Sequence, residues 1–318
     1  MSKYILTFEK PLKDIEEKIS SLKNTANKAG VDVSHQIITL KKELISRSQE
    51  IYKNLSRWER VQLARHPKRP NTMDYINVIT DNWFELHGDR CFGDDPAIIS
   101  GIGKIENKSV FLIGHQKGKG TKDKLKRNFG MPKPEGYRKA YRIMQLAEKF
   151  SIPVITFLDT PGAYPGLGAE QRGQAEAIAK NIYKMSFLKV PILSIVIGEG
   201  ASGGALGIGV CDRLLCLENT WYSVISPEGC ASILYHDSTK AEDAADSMKV
   251  TSLDLLKMGI ADGIIDEPTG GAHNDLLTTG ELVKQSILEF IKEFEIKSID
   301  ELISDRVKKY DNMGNWDE

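Results

Sequence analysis

Twice in the middle of the chain, a proline opens a run of apolar residues that ends in a cluster rich in glycine. The first copy is Pro153-Val154-Ile155-Thr156-Phe157-Leu158, followed by Asp159-Thr160-Pro161-Gly162-Ala163-Tyr164-Pro165-Gly166. The second is Pro191-Ile192-Leu193-Ser194-Ile195-Val196-Ile197, followed by Gly198-Glu199-Gly200-Ala201-Ser202-Gly203-Gly204-Ala205. Apolar runs of this length bounded by Gly and Pro read as strands, and the small-residue segment after each cluster has helical character. A strand that ends in glycines and opens a helix leaves backbone N–H groups free where the helix dipole favours negative charge. Glycine also lets a reacting oxygen come close to that backbone. Two such units in tandem predict a site that stabilises an oxyanion with backbone donors rather than with a charged side chain.

The rest of the chain divides around this pair. Leu12, Ile15, Ile19 and Leu22 recur at helical spacing, as do Ile37, Leu40, Leu44, Ile51, Leu55 and Trp58, with Gly30 between the two sets. Residues 1–70 therefore read as a helical hairpin. It packs on its own domain or grips a partner subunit, and both readings stay open. Pro67, Pro70 and Asn71 mark a boundary. From 71 to 268, short strands alternate with helices, an α/β pattern. Strands are expected at Ala97–Ile105, Ser109–Gly114, Pro153–Leu158, Pro191–Ile197, Arg213–Leu217 and Trp221–Ile225. Helices are expected at Tyr137–Phe150 and Glu170–Leu188. Residues 269–318 form a C-terminal segment in which Val283, Ile287, Phe290, Ile291 and Phe294 share a helical face. The tail after Lys309 is expected to fray.

Composition removes several function classes. With 43 basic and 44 acidic residues, the net charge of −1 favours neither nucleic acid nor a membrane surface. No secretory signal opens the chain, and the weakly polar window Val190–Val210 is too irregular to span a membrane; a cytoplasmic location is expected. Cys91, Cys211, Cys216 and Cys230 contain no C-x-x-C pair and have no histidine at zinc spacing. Reduced thiols and no bound metal are expected, since EF-hand and H-E-x-x-H spacings are also lacking.

Gly200-Ala201-Ser202-Gly203-Gly204 fits the G-x-S-x-G nucleophile elbow. A hydrolase built on Ser202 would draw on His236 or His273, but Asp237 adjoins His236 too closely to orient it. A blander reading is that these glycines only permit close helix–strand packing. Gly114-His115-Gln116-Lys117-Gly118-Lys119-Gly120 has the wrong glycine spacing for a phosphate loop. Met248-Lys249-Val250 lies in a polar, helical context rather than in the small β module that presents a biotinylated lysine. Between His115 and Arg142, ten cations (Lys117, Lys119, Lys122, Lys124, Lys126, Arg127, Lys133, Arg138, Lys139 and Arg142) meet only Asp123 and Glu135. This run is either a solvated surface or a binding face for a polyanion such as coenzyme A phosphates or an acidic carrier protein.

Several longer motifs carry a family resemblance. Gly114-His115-Gln116-Lys117-Gly118, Arg127-Asn128-Phe129-Gly130-Met131-Pro132 and Pro134-Glu135-Gly136-Tyr137-Arg138-Lys139-Ala140 join the first glycine cluster and Ser223-Val224-Ile225-Ser226-Pro227-Glu228-Gly229-Cys230-Ala231-Ser232-Ile233-Leu234. Together they closely resemble the carboxyltransferase subunit alpha of bacterial acetyl-CoA carboxylase, over nearly the whole chain.

The resemblance implies a crotonase-like (ClpP/crotonase) superhelix of ββα repeats, with an N-terminal helical hairpin and C-terminal helices. It implies transfer of a carboxyl group from carboxybiotin, held on a separate biotin carboxyl carrier protein, to acetyl-CoA. The product, malonyl-CoA, commits carbon to fatty acid biosynthesis. ATP is used only by the partner biotin carboxylase. A carboxyltransferase subunit beta supplies a zinc ribbon and the main acyl-CoA half, in an alpha2-beta2 core. Gly203 and Gly204 match the family's oxyanion-stabilising glycines, with Gly162 or Ala163 as companion donor. Tyr164, Pro165, Gly166, Lys119, Lys122, Lys126 and Arg127 are the implied substrate-binding residues.

The chain departs from the family at two points. Lys119-Gly120-Thr121 stands where an arginine and an acidic residue are more usual, which loses bidentate geometry. Ala201 replaces a common glycine, so an ordinary backbone is expected there. Two other readings are a self-contained crotonase-like acyl-CoA enzyme or Ser202 hydrolase, and a non-catalytic scaffold for a beta subunit.

Overall fold

A computed structural model of the chain describes residues 4–314. Eight strands form one sheet: β1 (Asn82–Glu85), β2 (Ile98–Ile105), β3 (Lys108–His115), β4 (Val154–Thr160), β5 (Ile192–Ala201), β6 (Arg213–Leu217), β7 (Trp221–Ser223) and β8 (Gly263–Ile265). Their order is β1-β2-β3-β4-β5-β6-β8, with β7 pairing the end of β5. The pairs β1–β2 and β2–β3 are antiparallel, and every pair from β3 onward is parallel. Parallel neighbours need long crossovers. Helix Pro134–Phe150 carries the chain from β3 to β4, and helix Gln174–Ser186 carries it from β4 to β5.

Those crossovers explain why β4 and β5 are buried throughout. Val154, Leu158, Ile192 and Val196 pack against the side that holds Tyr137, Ile143 and Met144. Ile155, Phe157, Leu193, Ile195 and Ile197 pack on the opposite side with Tyr75, Ile76, Val283, Ile287 and Phe290. A sheet covered on both faces has no polar side to alternate with. Between β4 and β5 the polar pair Thr156 and Ser194 is buried and mutually hydrogen-bonded at 2.7 Å.

The N-terminal hairpin consists of helices Lys10–Ala29 and Ser34–Lys53, and the first ends at Gly30 with φ +65°. Its base is fixed by buried Glu9, which accepts from the backbone N–H groups of Ile5 and Leu6 and from the Tyr52 hydroxyl. The second helix does not reach Leu55 and Trp58 as their spacing suggests. The chain breaks at Asn54, and Ser56 caps a separate helix, Arg57–Ala64, through a capping box with Glu59. That reciprocal bonding favours a new start over continuation.

Three other boundaries also differ from expectation. The helix expected at 170–188 is split by Gly173, φ +83°, into Leu167–Gln171 and Gln174–Ser186. Strand β5 runs four residues past Ile197, to Ala201. Helices Leu276–Phe294 and Ile299–Asp311 close the fold, so helical structure passes Lys309 instead of fraying there. Buried Arg306 holds the last helix. It pairs with Asp212 and donates to the carbonyls of Met185, Leu188 and Val190. Residues 315–318 of the tail lie outside the described residues.

Candidate active site

The carboxyl ends of β3, β4 and β5 lie side by side, the usual place for a site in a parallel α/β sheet. Both glycine clusters leave the sheet at this edge, and they touch. A Cβ added at Gly204 would lie 2.3 Å from the carbonyl carbon of Gly162 and 2.4 Å from the nitrogen of Ala163. The structure therefore brings together Gly162, Ala163 and Gly204, with Gly203 beside them. Gly162 has φ +147°, and its Cβ direction is open space. A Cβ on Gly203 would make ordinary contact with Ile178 at 3.6 Å.

The second cluster is less of a loop than its composition suggests. Gly198 to Ala201 continue β5, and each glycine makes room for a neighbour. A Cβ at Gly198 would lie 2.1 Å from Asp159 Oδ1, and one at Gly200 would lie 2.4 Å from the Tyr222 ring. Ala201 has extended backbone, φ −110° and ψ 135°, as its side chain requires. The positive φ falls instead on exposed Ser202, at +59°. Helix Ser202–Leu206 follows directly. Ser202 and Gly203 also wall an apolar cleft of about 450 Å³, together with Leu206, Tyr222, Val224, Leu255, Ile260 and Tyr310.

Charged groups beneath this edge form a network in which the carboxylates of Asp159 and Glu199 are buried and the cations Lys117 and Arg65 are partly buried. Lys117 Nζ lies 2.7 Å from both Asp159 Oδ1 and Glu199 Oε1, and Arg65 Nε lies 2.7 Å from Glu199 Oε2. Arg65 also pairs with Glu228 and stacks over Trp221. Burial works against the Lys117 ammonium, but attraction to Asp159 and Glu199 outweighs it and raises its pKa. Burial likewise opposes the Glu199 carboxylate, yet Lys117 and Arg65 hold its pKa below the usual range. Asp159 is pushed upward, because its burial exceeds what Lys117 returns.

His115, at the end of β3, is fully buried between the two clusters. Burial lowers its pKa to about 4, so the ring is neutral near pH 7. The Asp159 N–H can only donate, so Nδ1 accepts from it at 3.3 Å. The proton therefore sits on Nε2, which donates to the Gly204 carbonyl at 3.1 Å. The Tyr137 hydroxyl donates to the same carbonyl, also at 3.1 Å.

The residues that the resemblance implies for substrate binding differ in their surroundings. Tyr164 folds its ring over Gly166, where a Cβ would meet Cε1 at 2.3 Å, and Lys133 Nζ lies 5.2 Å from the centre of that ring. Pro165 is exposed. The basic run is largely neutralised, by Asp123 within it and by acids from elsewhere. Lys119 pairs with Asp74, Arg127 with Asp123, Arg138 with Asp89, and Lys139 with Asp94. Arg142 is taken by the carbonyls of Gly88 and His87. Lys122 and Lys126 are exposed and make no salt bridge among the described residues.

Sequence reasoning set aside His115 and Lys117 as part of a defective phosphate loop, and it overlooked Arg65, Tyr137, Asp159 and Glu199 as a working group. A signal was present: Asp159 and Glu199 each continue an apolar strand, where a carboxylate must find a buried partner. The four cysteines are free thiols. Among the described residues, no group of three or more His, Cys, Asp or Glu is placed to hold a metal.

This architecture defines a crotonase-like carboxyltransferase fold. The chain is similar to transcarboxylase 12S, with TM-score 0.60 and 18% identity over 74% of this chain and 45% of that one. It is also similar to a chain of a Pseudomonas malonate decarboxylase hetero-tetramer, with TM-score 0.58 and 14% identity over 74% and 92% of the two chains. Within that class the family is specific. The model for acetyl co-enzyme A carboxylase carboxyltransferase-like proteins matches residues 5–314, and the chain belongs to this family. It is 54% identical to the acetyl-coenzyme A carboxylase carboxyl transferase subunit alpha of Oceanobacillus iheyensis, over 98% of both chains. It is 52% identical to the subunit of the same name from Fusobacterium nucleatum, over 97% of this chain and 99% of that one.

Proposed function

We propose that this chain is the alpha half of an acetyl-CoA carboxyltransferase, which moves a carboxyl group from carboxybiotin on a carrier protein to acetyl-CoA and forms malonyl-CoA. The observation that carries the reading is the contact between Gly204 and the Gly162–Ala163 peptide. Two backbone segments that arrive from different strands converge there, and a neutral histidine and a tyrosine brace them from behind.

Biotin supplies the carboxyl group, and its ureido oxygen gathers negative charge as that group leaves. The site fits such a head group. Gly162 opens into free space, the backbone of Gly204 packs against the Gly162–Ala163 peptide, and the adjoining cleft is apolar. Fixed donors of this kind cost no reorganisation when charge develops, and each contributes about 3 kcal/mol to transition-state binding. Ala163, Gly203 and Gly204 take this role, and Gly162, whose N–H already donates to the Thr160 hydroxyl at 3.1 Å, leaves the space in front of them open. The ion network of Lys117, Asp159, Glu199 and Arg65 holds the strand ends from which the donors project.

Tyr164, Pro165 and Gly166 form the rim on the carrier side, and Lys122 and Lys126 meet anionic groups of coenzyme A or the carrier. Lys119 and Arg127 contribute less, because acids within the chain already engage them. The partners are a zinc-ribbon beta subunit in an alpha2-beta2 core, the biotin carboxyl carrier protein and biotin carboxylase, which alone uses ATP. The hairpin within residues 1–70 serves as a subunit contact. Its inner residues Leu12, Ile15 and Ile19 are buried, whereas Val31, Ile38 and Ile45 are exposed. No helix among the described residues is long and apolar enough to cross a membrane, and we place the complex in the cytoplasm.

Among the described residues, no histidine is hydrogen-bonded to Ser202, which the hydrolase reading would need. His115 has both ring nitrogens engaged by backbone, His236 is exposed after helix Pro227–Tyr235, and His273 is stacked on His66. The direct test is malonyl-CoA formation by this chain with and without its beta subunit. Formation only by the pair is expected. Acyl-CoA turnover or ester hydrolysis by the isolated chain would overturn the reading.

A further inference from the structure

We infer that His115 and Tyr137 are positioning residues that hold the two oxyanion segments in register by gripping the carbonyl of Gly204. The inference rests on the assignment of those segments as the oxyanion site.

The first observation concerns a carbonyl that the helix abandons. In a continuing helix the Gly204 carbonyl would accept from the N–H of Ile208. Here helix Ser202–Leu206 ends early, and Ile208 N donates to Ala205 instead. The freed oxygen is buried at a residue with no side chain to shield it, and an unpaired buried acceptor is costly. His115 Nε2 and Tyr137 Oη take its two lone pairs, each at 3.1 Å.

The second observation is that His115 also grips the other segment. Its Nδ1 accepts from the N–H of Asp159, three residues before Gly162. One rigid ring thus spans from the strand that feeds the first cluster to the carbonyl of the second. Tyr137 adds a further constraint. A Cβ at Gly207 would lie 2.6 Å from Tyr137 Cε1, so the ring also fixes where the turn after the helix runs. Neither side chain points to a reacting atom; both act on the backbone that does.

The ring must stay in one tautomer for this to work. Burial, with a smaller contribution from the Lys117 charge, disfavours a second ring proton and outweighs the Gly204 and Phe157 backbone, which favour it. A doubly protonated ring would donate from both nitrogens and could not accept from Asp159.

Three variants of the assembled alpha–beta complex test the inference. His115→Gln keeps an amide donor near the Nε2 position, whereas His115→Asn reaches only the Nδ1 position and loses the Gly204 bond. Turnover is expected to fall about tenfold in His115→Asn, the worth of one net hydrogen bond, with KM for acetyl-CoA unchanged and His115→Gln restoring most of it. In His115→Asn/Tyr137→Phe the Gly204 carbonyl has no donor, and a fall of at least about a hundredfold is expected. A double variant that melts like the wild type and turns over normally overturns the inference, as does equal activity of His115→Asn and His115→Gln. Should the double variant not fold, Tyr137→Phe decides, because wild-type turnover without its hydroxyl overturns the shared grip. Gly204→Ala in the same assay separates the levels. If it is inactive while the clamp variants are active, only the clamp fails; if it too is active, the oxyanion assignment fails.

Discussion

A single methyl group at Gly204 should cost at least about a hundredfold in carboxyl transfer. Its Cβ would sit 2.3 Å from Gly162 C, 2.4 Å from Ala163 N and 2.7 Å from Gly162 Cα. Ordinary carbon contacts lie at about 3.5–4.0 Å, so the two segments must part by about 1 Å. The obstacles are backbone atoms, and no side-chain rotation relieves them. Overpacking of this kind costs about 1–3 kcal/mol in stability, which a large domain tolerates. A displacement of about 1 Å at a reacting centre costs about a hundredfold in rate, equivalent to about 2.7 kcal/mol of transition-state binding. The assay is malonyl-CoA formation by the assembled complex, with assembly checked by size exclusion and folding by thermal melting. Gly93→Ala is the control, because its Cβ direction is open space and it stands apart from the site. A Gly204→Ala complex that assembles, melts like the wild type and keeps more than half its turnover would refute the reasoning.

Three further outcomes follow from the same geometry. Ser202→Ala should retain most carboxyltransferase activity, since no covalent serine step is involved; a thousandfold loss, or labelling of Ser202 by a fluorophosphonate, would restore the hydrolase reading. Reversing charge at Lys122 and Lys126 together should raise KM for acetyl-CoA or carrier protein several-fold at low salt, and the effect should fade as the Debye length falls to about 8 Å near physiological ionic strength; identical kinetics at low salt would make both lysines solvated surface. Stability should decline in acid. His115 is depressed from 6.5 to about 4, and His273, depressed to about 3, is stacked on His66, which is also lowered. The unfolded chain binds these protons below about 6.5 while the folded chain refuses them, so the contribution is complete above that pH and lost on the way down. For His115 alone this amounts to about 2 kcal/mol between pH 7.5 and pH 5. Urea unfolding at both values, compared with His115→Gln, measures it, and an identical pH dependence of the two proteins would contradict the buried neutral ring.

Strands β4 and β5 and the crossover helix before β4 were legible because each rests on local pattern, whereas the pairing of the two glycine clusters came from the family resemblance. Proline, an apolar run and glycine need no tertiary information. The basic run misled for the opposite reason. Ten cations with two acids is a count along the chain, whereas Asp74, Asp89, Asp94, Asp159 and Glu199 reach the run only through folding. The end of β5 was misplaced because glycine signals both a turn and a tight fit. Gly198 and Gly200 are there for the fit, against Asp159 and Tyr222. His115 escaped notice because its importance lies in two backbone partners, and backbone atoms leave no mark on a sequence. The capping box at Ser56 and Glu59, by contrast, was readable and was passed over in favour of a longer helical stripe.

The three close-packed glycines of the second cluster differ in what could ever replace them. At Gly200 the obstacle is the Tyr222 ring, a side chain, so a larger residue becomes admissible once position 222 shrinks. At Gly198 the obstacle is Asp159, whose removal would leave Lys117 to share Glu199 with Arg65, so relief there demands that two charges, Asp159 and Lys117, change together. At Gly204 the obstacle is the peptide that joins Gly162 to Ala163, which every amino acid shares, and no second substitution can clear it. Evolutionary routes through this edge are therefore graded: one position opens with a single compensating change, one with a coordinated pair, and the third is closed by the polypeptide itself.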